Sequence, residues 1–392
     1  MEKFIETYKR ERKNTNSLKW DLLEERYGDA NLLPLWVADM DFATPIGVQE
    51  ALRKKVDEGI FGYAIVPKDY FSAFDAWQKR HSGAKFEENW LYFSTGVVQA
   101  LYHLIDCFTK SGDKILIQPP VYYPFFQAIE RQNRTLLSSP LKNNNGNYEM
   151  DFKDLEQQFQ TEDIKMMIFC SPHNPVGRVW REDELKRLID LCEKYQVLLL
   201  SDEIHGDLIQ PEYSFTSMIS VAEKRQHDWL IVLNAPSKTF NLASLLNAHL
   251  FIPSEKRRNV FEKWKLAHWE TEYSSLGQIA AMSAYQTGDE WLENILKIVR
   301  YNYELLKNQL SEAIPAIKIA ELQGTYLAWL DCRNWIDEQE IKNYVQNLAG
   351  LAIDYGEWFS SDTKGFIRIN LATTPEIIQK AINQLIMVEN EK

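Results

Sequence analysis

The sequence predicts an α/β protein: a mainly parallel sheet covered by helices on both faces, followed by a smaller α+β domain. Three observations point there. Between about residue 46 and residue 285, short apolar runs alternate with amphipathic stretches. Most of these runs are nearly continuous in apolar residues, as strands buried on both faces are. Beyond Tyr285 a long helical stretch stops at Pro315 and a different texture begins.

The expected strands of the first part are Leu91–Ser94, Lys114–Gln118, Lys165–Cys170, Val197–Ser201, Trp229–Asn234 and Ala248–Ile252, short enough for strands and rich in Val, Ile, Leu and aromatic residues. Between them, Val98–Phe108, Glu182–Tyr195 and Glu255–His268 have helical periodicity. The Asn/Gly-rich stretch Lys142–Asn147 reads as a turn or loop tip. In the last part Asp289–Ala313 is the long helix, with strands expected within Ile317–Asp331, Leu351–Tyr355 and Phe366–Leu371. Residues 46–285 are expected to form the large domain, residues 286–392 the small one, and residues 1–45 an N-terminal arm that joins the small domain.

Composition narrows the function. A hydrophobic fraction of 45% with 26% charged residues supports packed cores rather than disorder. A formal charge of -12 opposes a phosphate backbone, and there is no basic block with interleaved aromatics, so nucleic acid is not an expected partner. No apolar run approaches the roughly 18 residues of a membrane span, and Met1–Asp21 lacks the apolar stretch of a secretion signal. A cytoplasmic enzyme is expected. Cys107, Cys170, Cys192 and Cys332 are scattered without a CxxC pair, so neither a disulfide framework nor a metal site is expected.

In open α/β sheets ligands bind beyond the carboxyl ends of the strands, so polar residues just after buried runs come first. Three stand out. Asn174 follows the Lys165–Cys170 run in Ser171-Pro-His-Asn-Pro-Val-Gly177; alone, this is more often a plain turn. Asp202 follows Val197–Ser201, where a carboxylate needs a partner; helix capping would explain it equally well. Lys238 follows Trp229–Asn234 between small and hydroxylated residues, although a lone lysine is usually a surface charge. Together they would bring an amide, a carboxylate and an amine to one rim. Pyridoxal phosphate uses that set: an amine for the covalent link, a carboxylate to keep the ring nitrogen protonated, and a donor to the ring hydroxyl oxygen.

At these residues the chain resembles the fold type I, aspartate-aminotransferase-like pyridoxal-phosphate enzymes, whose NPxG, DEx and SKxF segments match Asn174–Gly177, Asp202–Ile204 and Ser237–Phe240. The resemblance covers nearly the whole chain. It implies that Lys238 is the Schiff-base lysine, that Asp202 pairs with the ring nitrogen and that Asn174 bonds the ring oxygen. Gly96, Val97 and Val98, opening a helix after Leu91–Ser94, would receive the cofactor phosphate, and Ser237 and His205 would also contact the cofactor. Tyr122 would stack on the ring and Arg368 would clamp the substrate α-carboxylate; a core tyrosine and a structural salt bridge are the plainer readings of these two.

Leu33-Pro-Leu-Trp36-Val-Ala-Asp39-Met-Asp41-Phe42, Phe61-Gly-Tyr63, Asp202-Glu-Ile-His205 and Gly324-Thr-Tyr326-Leu-Ala-Trp329-Leu-Asp331 are similar to the MalY/PatB branch, the cystathionine β-lyase or cysteine C-S lyase type. That resemblance implies α,β-elimination on a sulfur amino acid, with Trp36, Tyr122 and Tyr326 shaping the pocket. It also implies a homodimer in which Tyr63 reaches the neighbouring subunit's cofactor. Tyr122, Tyr63 and Lys238 are the candidates to protonate the leaving sulfur. Two positions depart from the transaminase pattern, Leu246 for a phosphate-binding arginine and His205 for a tyrosine. An aminotransferase and a cofactor-binding regulator are the competing expectations.

Overall fold

The computed structural model describes all residues from Met1 to Lys392. Its centre is a seven-stranded sheet in which Leu91–Ser94, Ala248–Phe251, Leu230–Asn234, Leu198–Asp202, Ile164–Cys170, Lys114–Ile117 and Thr135–Ser138 lie side by side in that order. Every expected strand of the large part is there, shifted by no more than a residue at either end. Thr135–Ser138 is an additional edge strand, half-exposed and therefore without the continuous apolar run that marks the others. Ala248–Phe251 runs antiparallel to both neighbours. The physical reason lies in its connection. A parallel return needs a long crossover, usually a full helix, whereas the segment after Asn234 carries only the short helix Pro236–Thr239 and a 3-10 turn at Ala243–Leu245.

The helices on the two faces follow from apolar stripes and local caps. Helix Glu182–Tyr195 buries Leu185, Leu188, Ile189 and Cys192, while Glu184 accepts the Arg181 backbone N–H at 2.8 Å. Asp151 and Ser254 cap Phe152–Thr161 and Glu255–His268 by accepting first-turn N–H groups on their side-chain oxygens. The Lys142–Asn147 turn is the tip of a hairpin: Asn145 and Gly146 take positive φ of 54° and 89° between strands Lys142–Asn144 and Asn147–Glu149.

A second, antiparallel sheet orders Lys318–Ile319, Leu327–Asp331, Phe366–Asn370 and Asp354–Tyr355. The N-terminal residues join this part of the chain: Leu33–Pro34 pairs in parallel with Leu351–Ala352 in a separate two-stranded sheet. No helix is long and apolar enough to cross a membrane.

Register does most to place the site. Cys170 stands opposite Asp202, and Asp202 opposite Leu233, so three parallel strands end level. With neighbouring strands about 4.8 Å apart, the loops leaving them carry Asn174, Asp202 and Lys238 within side-chain reach of one another.

Candidate active site

Beyond these strand ends lies a cavity of about 230 Å³ whose lining includes Gly96, Val97, Val98, Tyr122, Asn174, Asp202, His205, Ser237 and Lys238. Nine of the residues expected from sequence thus meet in one place. Ala38, Thr95, Cys170, Ile204, Ala243 and Asn247 complete the wall; of these, Cys170, Ala243 and Asn247 carried no expectation of a site role. Asn247 had a usable signal, a polar residue immediately before a buried strand; it donates to Tyr70 Oη at 2.6 Å.

Lys238 is half-buried at the edge of this cavity, on the short helix after Leu230–Asn234. Its Nζ donates to the Ala38 carbonyl at 2.8 Å, which also accepts from Tyr326 Oη at 2.8 Å. Burial lowers its pKa to about 8; Arg368 pushes the same way, while Asp39 and Asp202 oppose. The amine is therefore far closer to neutrality than a surface lysine.

Asp202 is buried, and its one bond within the protein is the Ile204 N–H at 3.1 Å on Oδ1. It has no ion-pair partner within 4 Å. Burial raises its pKa to about 7, against the Ile204 N–H and the Lys238 charge. A buried carboxylate left this way is costly, and a cationic ring nitrogen would supply what it lacks.

Asn174 Oδ1 accepts from Arg368 Nη1 at 2.8 Å. Because a guanidinium only donates, this bond fixes the amide's orientation and leaves Nδ2, unbonded within the protein, as the free donor. His205 is buried and its pKa falls well below the usual value, through burial and then Lys238 and Arg368, so its imidazole is neutral. Its ring meets Tyr326 edge-on at 6.1 Å.

At the opposite side helix Val97–Phe108 begins with Gly96, and a Cβ added there would meet nothing within 4 Å. The first-turn N–H groups at Val97 and Val98 have no partner inside the helix and are suited to an anion. Amine, unpaired carboxylate, amide donor and helix N-terminus together fit the groups of pyridoxal phosphate.

Four expected residues lie outside the lining. Arg368, on Phe366–Asn370, is buried behind Asn174; its Nη2 donates to the Trp36 carbonyl at 3.0 Å and to Asp354 Oδ2. Trp36 contributes that carbonyl, but its ring is turned away, with Nε1 on the Lys19 carbonyl at 3.0 Å and an edge contact to Tyr27 at 5.6 Å. Tyr326 acts through Ala38, as above. Tyr63 is 98% exposed, in the segment between helices Ile46–Asp57 and Tyr70–His81, beside exposed Ile60, Phe61 and Ile65.

The stretch containing Ala38 is held from several sides. Arg12 grips Asp39 through both Nη atoms at 2.8 and 2.7 Å, Lys19 pairs with Asp41 at 2.8 Å, and Asn370 Nδ2 donates to the Val37 and Asp39 carbonyls at 2.6 Å. Asn241, three residues after Lys238, binds the carbonyls of Met40 and Phe42 at 3.0 and 2.9 Å. The acidic loop thus carries structural ion pairs and presents a backbone carbonyl to the site.

Known proteins resemble the chain over nearly its whole length. Cystathionine beta-lyase PatB of Bacillus subtilis is 32% identical over 96% of this chain and 97% of its own length. The structure superposes with a TM-score of 0.94 on cystalysin from Treponema denticola, which contains a pyridoxal 5'-phosphate cofactor; the two are 35% identical, over 98% of each chain. The PLP-bound C-S lyase of Staphylococcus hominis follows with a TM-score of 0.90 and 32% identity, over 97% of this chain and 96% of that one. With the family profile matching residues 31–385, the chain belongs to the aminotransferase class I and II family.

Proposed function

We propose that the protein is a pyridoxal-5'-phosphate-dependent carbon–sulfur β-lyase. It would perform α,β-elimination on L-cystathionine, L-cysteine or related S-substituted cysteines, giving pyruvate, ammonia and a thiol or hydrogen sulfide. The observation that carries the reading is the single cavity in which Lys238, the unpaired Asp202, the free Nδ2 of Asn174 and a helix N-terminus face one another. The activities named for PatB and for the Staphylococcus hominis enzyme favour elimination over transamination.

When bound, the cofactor supplies an electron sink for the pair left at Cα once its proton is removed. Lys238 would hold it covalently through Nζ, and an amino acid taking its place would free the amine. With its pKa near 8, Nζ is then poised to take the Cα proton. Asp202 would keep a proton on the ring nitrogen, Asn174 Nδ2 would donate to the ring oxygen, and Ser237 with the amides at Gly96, Val97 and Val98 would hold the phosphate. Tyr122, on the cavity wall, would stack on the ring, and Arg368 with Asn174 would receive the α-carboxylate. As the C–S bond breaks, its electron pair leaves with sulfur, which takes a proton from Lys238 Nζ or a tyrosine hydroxyl. Burial keeps Tyr122 protonated and thus able to donate; Tyr63 is the other candidate.

The large exposure of Tyr63, Phe61, Ile60 and Ile65 supports a homodimer that covers this segment and brings Tyr63 to the partner's site. The separate sheets of residues 91–251 and 318–370 support the division into an arm (1–45), a large domain (46–285) and a small one (286–392).

The test is the visible absorbance of the purified protein, then addition of L-cystathionine or L-cysteine with pyruvate and thiol or sulfide measured. Pyruvate formed without added keto acid supports the lyase. Conversion of the cofactor to its amine form without pyruvate would instead make it an aminotransferase.

A further inference from the structure

Arg368 and Asp354 face each other in register on neighbouring strands, each side chain 3% exposed, with Arg368 Nη2 bonded to Asp354 Oδ2. Burial pushes the Asp354 pKa up while Arg368 and, farther out, Arg26 pull it down. Nothing in the reaction described above uses this carboxylate. Yet it occupies the guanidinium assigned to the substrate, whose other bonds go to Asn174 Oδ1 and the Trp36 carbonyl and whose Nε is buried without a partner.

Two physical consequences follow. Without Asp354, the substrate-free protein would bury an uncompensated cation, which is strongly destabilising. With it, an arriving α-carboxylate meets a neutralised pair instead of a bare charge, and the attraction is correspondingly weaker. We propose that Asp354 is a positioning and affinity-setting residue: an internal stand-in for the α-carboxylate that keeps Arg368 aligned while lowering the enzyme's affinity for amino-acid carboxylates. Product release benefits, because pyruvate keeps the carboxylate but not the amine. The inference rests on the reading of Arg368 as the carboxylate receiver.

The experiment uses the holoenzyme and two ligands that cannot be eliminated: L-alanine, and L-alaninamide, which has the same amine and no carboxylate. Inhibition constants come from competition with turnover, and melting temperatures are recorded with and without each ligand. Asp354→Asn keeps an oxygen acceptor for Nη2, so the fold is expected to persist. It should bind L-alanine about tenfold more tightly, with L-alaninamide unchanged. It should also melt lower than the parent alone and gain more from L-alanine. Asp354→Ser should behave alike, and Asp354→Glu should return L-alanine affinity to the parent's. Arg368→Gln separates the two readings. If it weakens L-alanine but not L-alaninamide while neither neutral Asp354 variant tightens L-alanine, the role of Asp354 is refuted and that of Arg368 stands. If Arg368→Gln leaves L-alanine unchanged, the carboxylate binds elsewhere and both readings fall.

Discussion

Replacing Asp202 by Asn tests the site through a change of sign. In the cofactor-free protein Asp202 ionises only at about 7 because burial disfavours its charge. An unfolded chain loses the same proton near its ordinary value of 3.8. Between those two values the folded state holds the extra proton, so stability falls as pH rises through the window. Above it, the penalty of keeping Asp202 charged amounts to up to about 4 kcal/mol, at about 1.4 kcal/mol for each tenfold change in proton affinity. Asn carries no charge and retains the acceptor for the Ile204 N–H. Asp202→Asn should therefore stabilise the cofactor-free protein at about pH 8 by up to that amount and match the parent below about pH 4. With pyridoxal phosphate bound, the order should invert: the variant loses the partner of the ring nitrogen, gains less melting temperature from the cofactor, and turns over about two to three orders of magnitude more slowly. Thermal melting across pH, with and without cofactor, reads both halves. A variant no more stable than the parent at about pH 8 without cofactor, or one that gains as much from the cofactor as the parent does, would refute the reasoning.

Other substitutions probe other parts of the site. Lys238→Ala should fold normally, carry no covalently linked cofactor in its absorbance spectrum, and lose more than about a thousandfold in pyruvate formation. Arg368→Lys cannot reproduce the guanidinium fork, so KM for the amino acid should rise by roughly tenfold or more while kcat changes less, as measured by steady-state kinetics. Tyr63→Phe should leave the melting temperature of cofactor-free protein unchanged and weaken cofactor binding, read by spectroscopic titration; unaltered binding would remove Tyr63 from the partner's site. Gly277→Ala would bring a Cβ within 2.3 Å of the Leu245 carbonyl, beside the cavity wall at Ala243 and Asn247. A loss of about 1–3 kcal/mol, seen as a lower denaturation midpoint, is expected.

Much of the site was legible in the sequence because its chemistry sits at strand ends. A buried parallel strand announces itself as an apolar run, and polar residues just after it lie at the rim. Asn174, Asp202 and Lys238 were found on that ground, and Gly96–Val98 were implied by the family resemblance, at a point where a helix opens. The antiparallel course of Ala248–Phe251 was not legible, since an apolar run has no direction. Nor were the roles of Asp39 and Asp41, which the sequence shows only as members of a family-like motif: Arg12 and Lys19 take both into ion pairs, and the Ala38 carbonyl between the motif's Trp36 and Asp39 reaches Lys238.

The sequence by itself determined which residues could form strands, helices and a reactive rim, because periodicity and turn chemistry are local properties of the chain. Tertiary structure alone decided what each polar group meets. Register brought Asp354 opposite Arg368, and close packing turned the Trp36 ring away from the cavity and left Asp202 without a cation in salt-bridge contact. Those outcomes depend on contacts between residues far apart in sequence, and the energy of a buried charge is set by its nearest partners rather than by its neighbours along the chain.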